Sequence, residues 1–291
     1  MRVSVVVPTR NRPKDLPACL ETILLCNPFE LIVVDQSDVP APHTPDDPRI
    51  RWIRSAPRGV CFARNLGIAA STGEIIANTD DDCRVPPQWI ARITALFEND
   101  PQAALVCGRV HLPEGAVGFG ASFEPQQRDY RGELPPVWVD WGISANLAVR
   151  RFVLDKVGHF DGLMGVGSPL RSGGETELII RVLRAGFKVV NAKEIDVLHL
   201  GVRPPGKPSG DLYRQYAYGT AAGLMKHIRL RVPVVAGLFV RTLGGYLRWN
   251  LSILRGVRPS GVSQTLAFLT GAVTSFRFRV DRATRMYAAR S

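Results

Sequence analysis

Apolar residues follow two alternating patterns over the first 110 positions. Short continuous runs at residues 3–7, 31–34, 50–53, 75–77 and 104–107 are rich in Val, Ile and Leu and predict strands. Between them, apolar positions at helical spacing predict helices over 13–25, 60–70 and 89–97, with Ala63, Leu66, Gly67 and Ala70 on one face of the second. Unbroken apolar strands separated by helices imply βαβ units and a mostly parallel sheet with both faces covered. Residues 110–140 are rich in Gly and Pro and lack a clean period, which predicts an irregular segment lying over the ligand side. Helical spacing returns at 147–157 and at 175–185, where Leu178, Ile179, Val182 and Leu183 form a stripe that Gly186 ends. Two short strands are expected at 188–191 and 195–198. From residue 211 onward the pattern is helical over 211–229, 234–254 and 262–276, with Arg on one side and Leu, Val, Phe and Trp on the other.

Charge divides the chain where the pattern changes. Residues 203–291 carry 15 Lys and Arg against two acids, Asp211 and Asp281, whereas residues 1–202 carry 22 against 24. A near-neutral α/β unit over 1–202 followed by a basic helical region over 203–291 is the expected organisation. Basic amphipathic helices bearing Phe239, Tyr246 and Trp249 suit an anionic membrane surface. No apolar stretch reaches about 18 residues without a charge, so a spanning helix is not expected. Nucleic acid is disfavoured as a partner, because the basic residues accompany aliphatic stripes and no nucleic-acid motif is present. The five cysteines show no C-x-x-C spacing, which argues against a zinc site or disulfide framework and for a reducing cytosol. The N-terminal apolar run stops at Pro8, too short for a signal-peptide core, so a cytoplasmic location is expected. Oligomeric state is not readable from these patterns.

Three consecutive carboxylates, Asp80, Asp81 and Asp82, follow the strand at 75–77. Like charges at one strand end repel unless a cation lies among them, and hard divalent cations take such oxygen ligands. A solvated turn is the plain alternative. In parallel sheets ligands bind beyond the carboxyl ends of the strands. Asp35 ends its strand on that same side.

Taken together, Val7-Pro8-Thr9-Arg10-Asn11, Val33-Val34-Asp35-Gln36-Ser37, Ala63-Arg64-Asn65-Leu66-Gly67, Thr79-Asp80-Asp81-Asp82 and Gly173-Gly174-Glu175-Thr176-Glu177-Leu178 form an ordered set. The set resembles the inverting, GT-A-fold glycosyltransferases of family 2, over about residues 1–200. The resemblance implies a Rossmann-like sheet flanked by helices and a nucleotide-diphosphate sugar as donor. It implies Mn²⁺ or Mg²⁺ bound by Asp82, ribose contact by Asp80 with Asp81 as the alternative register, and base recognition by Asp35. Thr9 and Arg10 would lie against the nucleoside, and Arg64 would approach the diphosphate. In such enzymes a carboxylate at a helix start deprotonates the acceptor hydroxyl. The usual Glu-Asp is replaced here, and Glu175 is the first candidate, with Glu177 the second. His199, at the end of an apolar run, is a further candidate metal ligand. Trp141 and Asn146 are candidates for the acceptor pocket. A glycan or lipid-linked acceptor at the inner face of the plasma membrane would match the basic C-terminal region.

Two other function classes stay open at this level. A non-catalytic nucleotide- or glycan-binding module on the same fold would explain the departure at Glu175-Thr176-Glu177. A nucleotidyltransferase is disfavoured, since Pro8 to Pro13 contains no Gly for a phosphate loop.

Overall fold

Val3–Thr9 forms the central strand β1, all seven residues of which are buried, as a Val-rich run covered on both faces must be. The computed structural model describes residues 1–289 apart from 42–44, 118–119, 127, 135–141, 205–206 and 252–259. Parallel to β1 run β2 (Glu30–Asp35) on one side and β4 (Ile75–Asn78) on the other, with β3 (Ile50–Arg54) parallel beyond β2. Helix α1 (Leu16–Leu25) lies between β1 and β2 in the chain, α2 (Val60–Ala70) between β3 and β4, and α3 (Trp89–Asn99) after β4. This half of the molecule follows the expected βαβ order.

Past β4 the directions mix. β8 (Leu147–Arg150) lies antiparallel between β4 and β6 (Ala103–His111), and β9 (Lys188–His199) runs parallel to β6. The two short strands β5 (Cys83–Arg84) and β7 (Asp129–Arg131) both pair antiparallel with β9. The sheet order is β3-β2-β1-β4-β8-β6-β9-β5.

Three local expectations are corrected. Residues 147–157 are not one helix: Leu147–Arg150 is strand and Arg151–Val157 is α4. A continuous run such as Leu147-Ala148-Val149 suits a buried strand as well as a helix, and here it pairs with β4 on one side and β6 on the other. Residues 188–199 are one strand, not two; the exposed Lys193 and Glu194 hide its continuity, and its pairing shifts register opposite Gly108 and Arg109. The segment 110–140 contains β7, together with a bridge between Val110 and Phe123. All five cysteines are buried and free.

α5 (Gly174–Arg184) precedes β9, and α6 (Lys207–Arg229), α7 (Pro233–Leu251) and α8 (Ser260–Thr274) follow it. Ala217, Ala221 and Leu224 of α6, Val235 and Leu238 of α7, and Phe268 of α8 belong to the same buried apolar cluster as the sheet. Gly271 lets α8 approach α6, since a Cβ there would collide with the Tyr218 carbonyl. After α8 the chain returns as a small hairpin, β10 (Arg279–Val280) against β11 (Tyr287–Ala288).

A buried ion cluster joins α5, α6 and this hairpin. The Lys226 ammonium lies 2.7 Å from both Asp161 Oδ2 and Glu177 Oε1, and all three side chains are at most 1% exposed. Arg181, one turn after Glu177, donates from Nε and Nη2 to the Glu177 carboxylate at 2.8–3.0 Å. The Tyr287 amide donates to Asp161 Oδ2 at 2.8 Å, which ties β11 to the same group. Burial alone would raise the Glu177 carboxyl, but Arg181 and Lys226 hold it well below the usual range. Removing one partner of a buried ion pair leaves an uncompensated charge and costs about 3–5 kcal/mol. Lys226→Met is therefore expected to lower unfolding free energy by about that amount in urea titrations at pH 7. A carboxyl depressed in the folded state stabilises above its unfolded pKa and loses that contribution as pH falls through its folded value. The deficit of Lys226→Met should therefore shrink below the ordinary carboxylate range. A loss under about 1 kcal/mol at pH 7 would show that the cluster is not what holds α6 in place.

Candidate active site

Parallel pairing of β1 with β4 brings their carboxyl ends together, so Thr9 and the Asp80–Asp82 run meet there. The Thr9 hydroxyl donates to Asp81 Oδ2 at 2.8 Å. β5 follows directly, and its pairing of Cys83 with His199 on β9 sets the imidazole beside Asp82, with Nε2 at 3.3 Å from Oδ1. The three carboxylates do not face one another uncompensated. Arg12 Nη1 lies 2.6 Å from Asp82 Oδ2 and its Nε 3.5 Å from Asp81 Oδ1. Arg64 of α2, only 3% exposed, holds Asp80 Oδ1 at 2.5 Å.

This packing separates the acids electrically. Burial lifts the Asp81 carboxyl to about 7, against the pull of Arg12 and the Thr9 hydroxyl. Burial pushes Asp82 the same way, but the His199 contact and Arg12 outweigh it and hold its carboxyl low. His199 is raised, because Asp82 more than offsets the burial of its ring.

The acids floor an open cleft of about 360 Å³. Its lining also includes Thr9, Arg10, Arg12, Gln36 and Gly59 from the first half of the chain, and Arg203, Gln215 and Tyr216 from the last third. Gln215 and Tyr216 belong to α6, so the basic C-terminal part supplies a wall of the site. Glu175 comes from the first turn of α5, whose start is set by Gly173 in the left-handed region at φ 79°. The Glu175 carboxyl is half-buried and raised by that burial; Arg64 and the Ser144 side chain oppose the rise, and Asp80 adds to it. Glu175 therefore shares an electrostatic neighbourhood with Arg64 and Asp80.

Other predicted residues lie elsewhere. Glu177, two positions along α5, is fully buried in the Lys226 cluster and has no path to a substrate. Asp35 does not face the cleft. It accepts from the Ser37 and Ala41 amides at 2.8 and 2.9 Å and from Arg54 at 2.7 Å, so it caps the turn that follows β2 and sets Gln36 in the wall. Asn146 is a buried junction rather than an acceptor contact. It accepts from Trp89 Nε1 at 3.0 Å and donates to the Arg109 and Ile195 carbonyls at 2.8 Å. Trp141 lies outside the described residues. Arg12, Gln36 and Tyr216 were not anticipated. Arg12 stands two positions after Arg10 in the same loop, and a search for the cation that offsets three adjacent acids would have reached it.

The donor set suits a hard or borderline divalent cation. Asp82 offers carboxylate oxygen and His199 imidazole nitrogen, and the two face each other. Gly201 leaves their edge open to the cleft, since a Cβ there would collide with Asp82 Oδ2 and stand 2.8 Å from His199 Cε1. Cys83 is the third nearby donor. Burial, with Asp80 and Asp82 adding to it, raises its thiol well above the usual range, so it stays protonated and is a poor partner for such an ion.

Comparison with known proteins shows the fold and the family. The Sinorhizobium fredii protein y4gI is 34% identical over 224 residues, which is 68% of this chain but 24% of that protein, so the chain spans about a quarter of its length. The glucosyl-dolichyl phosphate glucuronosyltransferase of Haloferax volcanii is 28% identical over 220 residues, covering 68% of this chain and 69% of that enzyme. Among solved structures, the mannosyltransferase PcManGT from Pyrobaculum calidifontis, in complex with GDP-Man and Mn²⁺, superposes with a TM-score of 0.62. That match covers 94% of this chain and 87% of that one at 16% identity, and it shows a shared GT-A fold. The sequence model described as Glycosyl transferase family 2 matches residues 4–158, more than half of the sequence, and the chain belongs to that family.

Proposed function

We propose that this chain is an inverting glycosyltransferase that moves a sugar from a nucleotide-diphosphate donor to a hydroxyl acceptor in the synthesis of a cell-surface polysaccharide or glycolipid. The carrying observation is the cleft at the carboxyl ends of β1 and β4. There Asp80, Asp81, Asp82 and His199 line one cleft, and behind its lining Arg64, paired with Asp80, also acts electrostatically on the half-buried Glu175. The relative from Haloferax volcanii is named for a dolichyl phosphate substrate, and a lipid-linked acceptor is our choice here.

Asp82 and His199 would hold Mn²⁺ or Mg²⁺, which when bound neutralises the charge growing on a departing diphosphate. The chain's own residues account for the rest. Arg64, fixed by Asp80, directs a planar fork suited to phosphate oxygens. Thr9 orients Asp81, and Arg10 and Gln36 line the side where the nucleoside would lie. Glu175 takes the proton of the acceptor hydroxyl as that oxygen forms a bond to the anomeric carbon. The bond from that carbon to the diphosphate oxygen breaks on the opposite face, and its electron pair leaves with the phosphate. The raised Glu175 carboxyl strengthens it as a base, since proton affinity is best matched near working pH.

The region 203–291 is proposed as a membrane-facing part at the cytoplasmic face. Val262, Leu266, Leu269 and Val273 recur at helical spacing on α8 and are all exposed, an apolar stripe that suits the interfacial layer of an anionic bilayer. No helix among the described residues is long and apolar enough to cross a membrane.

Transfer from a panel of nucleotide sugars, assayed with Mn²⁺, tests the site. Asp82→Ala is expected to lower turnover by at least about 100-fold and to abolish the thermal shift caused by Mn²⁺. Undiminished turnover in that variant would remove Asp82 from the metal site. Glu175→Gln should lower kcat by about 10²–10⁴-fold while donor binding, read by thermal shift, is kept. Glu177→Gln should instead lose stability. Full transfer by Glu175→Gln would overturn the assignment of the base.

A further inference from the structure

A second cavity, of about 310 Å³, shares no lining residue with the donor cleft. Six arginines line it: Arg181 and Arg184 at the end of α5, Arg229 at the end of α6, Arg231 in the turn before α7, and Arg282 and Arg285 in the β10–β11 turn. The remaining lining side chains are His227, Leu230 and Val232, so no acid among the described residues lines the cavity. Arg181 is committed to Glu177, and Arg229 donates to the Ser275 and Phe278 carbonyls at 2.8 and 2.9 Å. The guanidinium groups of Arg184, Arg231, Arg282 and Arg285 have no hydrogen-bond or ion-pair partner among the described residues.

Cations at helix C-termini are favoured by the helix dipole, which accounts for Arg184 and Arg229. It does not account for Arg282 and Arg285, which belong to a turn between two strands. Arg231 closes α6, its left-handed backbone at φ 59° letting its amide reach the Ile228 carbonyl at 2.9 Å, so the dipole favours it as well. All four of these arginines are exposed, and they place like charge around one concavity that an anion with several oxygens could bridge. Arginine forks match phosphate oxygens in particular.

We propose that this cavity binds a phosphate-bearing anion at a site separate from the donor cleft. One of its arginines, Arg229, reaches the segment that follows α8. The exposed Phe276 ring, just past the α8 stripe, stacks on Arg229 at 5.0 Å. A phospholipid headgroup with its chains along α8 fits both features, and a free diphosphate fits the arginines alone. The site does not depend on the catalytic reading, because none of its residues touches the Asp80–Asp82 cleft.

The test uses the full chain without divalent cation, so that the donor cleft contributes little phosphate binding. The triple variant Arg231→Gln, Arg282→Gln, Arg285→Gln is compared with a control of equal charge change, Arg248→Gln, Arg277→Gln, Arg279→Gln, whose residues lie outside the cavity. Two probes are used: inorganic pyrophosphate by calorimetry, and phosphatidylglycerol against phosphatidylcholine vesicles by co-sedimentation. The cavity variant is expected to bind at least one anionic probe about tenfold or more weakly than the control variant does. Dependence on the cavity with vesicles alone identifies a lipid headgroup, and with pyrophosphate it identifies a soluble ligand; either supports the site. Equal losses in both variants would show diffuse charge attraction and overturn it, as would binding of neither probe by the wild type. Circular dichroism and an unchanged transfer rate from soluble donor to soluble acceptor show that the variants are folded.

Discussion

Lys226, Asp161, Glu177 and Arg181 are buried charges in contact with one another, and none of them is tolerable without the others. Taking a single ion out of water costs several kcal/mol, and only close opposite charge with saturated hydrogen bonding offsets it. That requirement couples parts of the chain that the sequence separates. Asp161 lies in the loop before α5, Glu177 and Arg181 on α5, and Lys226 near the end of α6. The cluster therefore fixes the rotation of α5 about its axis. With Glu177 turned inward, Glu175 falls on the side that meets Arg64 and Asp80. It also seats α6, whose Gln215 and Tyr216 form a wall of the cleft.

The Asp80–Asp82 run obeys the same electrostatic rule by a different route. Each carboxylate has its own positive or hydrogen-bonding partner, Arg64 for Asp80, Thr9 and Arg12 for Asp81, and Arg12 and His199 for Asp82. The guanidinium of Arg12 occupies the position of a counter-charge between Asp81 and Asp82. A divalent cation at Asp82 would compete with Arg12 for Oδ2. Were a cation to bind there, its binding and the orientation of Arg12 would be linked, and a displaced Arg12 would face the cleft that it already lines.

Much of the first half was readable along the chain, for a simple reason. Valine-rich runs such as Val3–Thr9 have one stable use, a strand buried on both faces, and the helices between them carry unambiguous stripes. The ambiguous elements were those whose local pattern admits two answers. Leu147-Ala148-Val149 became strand because β4 and β6 both offered it edges to pair with. The same limit applied to polar residues. Asp35, Asn146 and Glu177 are residue types found in sites, yet each is buried with its hydrogen-bonding groups engaged by the fold.

Family membership, the strand-end acids and the asymmetry of charge follow from residue types and spacing alone, since these depend on local chemistry and chain order. Which carboxylate faces a substrate does not. Glu175 and Glu177 stand two residues apart on one helix, about 200° of rotation at 3.6 residues per turn, and therefore point to opposite sides. The side that became interior was decided by the buried Lys226 and Asp161, brought there from 49 residues after and 16 before Glu177. Spacing along a helix sets relative direction, whereas only packing against the rest of the molecule says which direction is water and which is core.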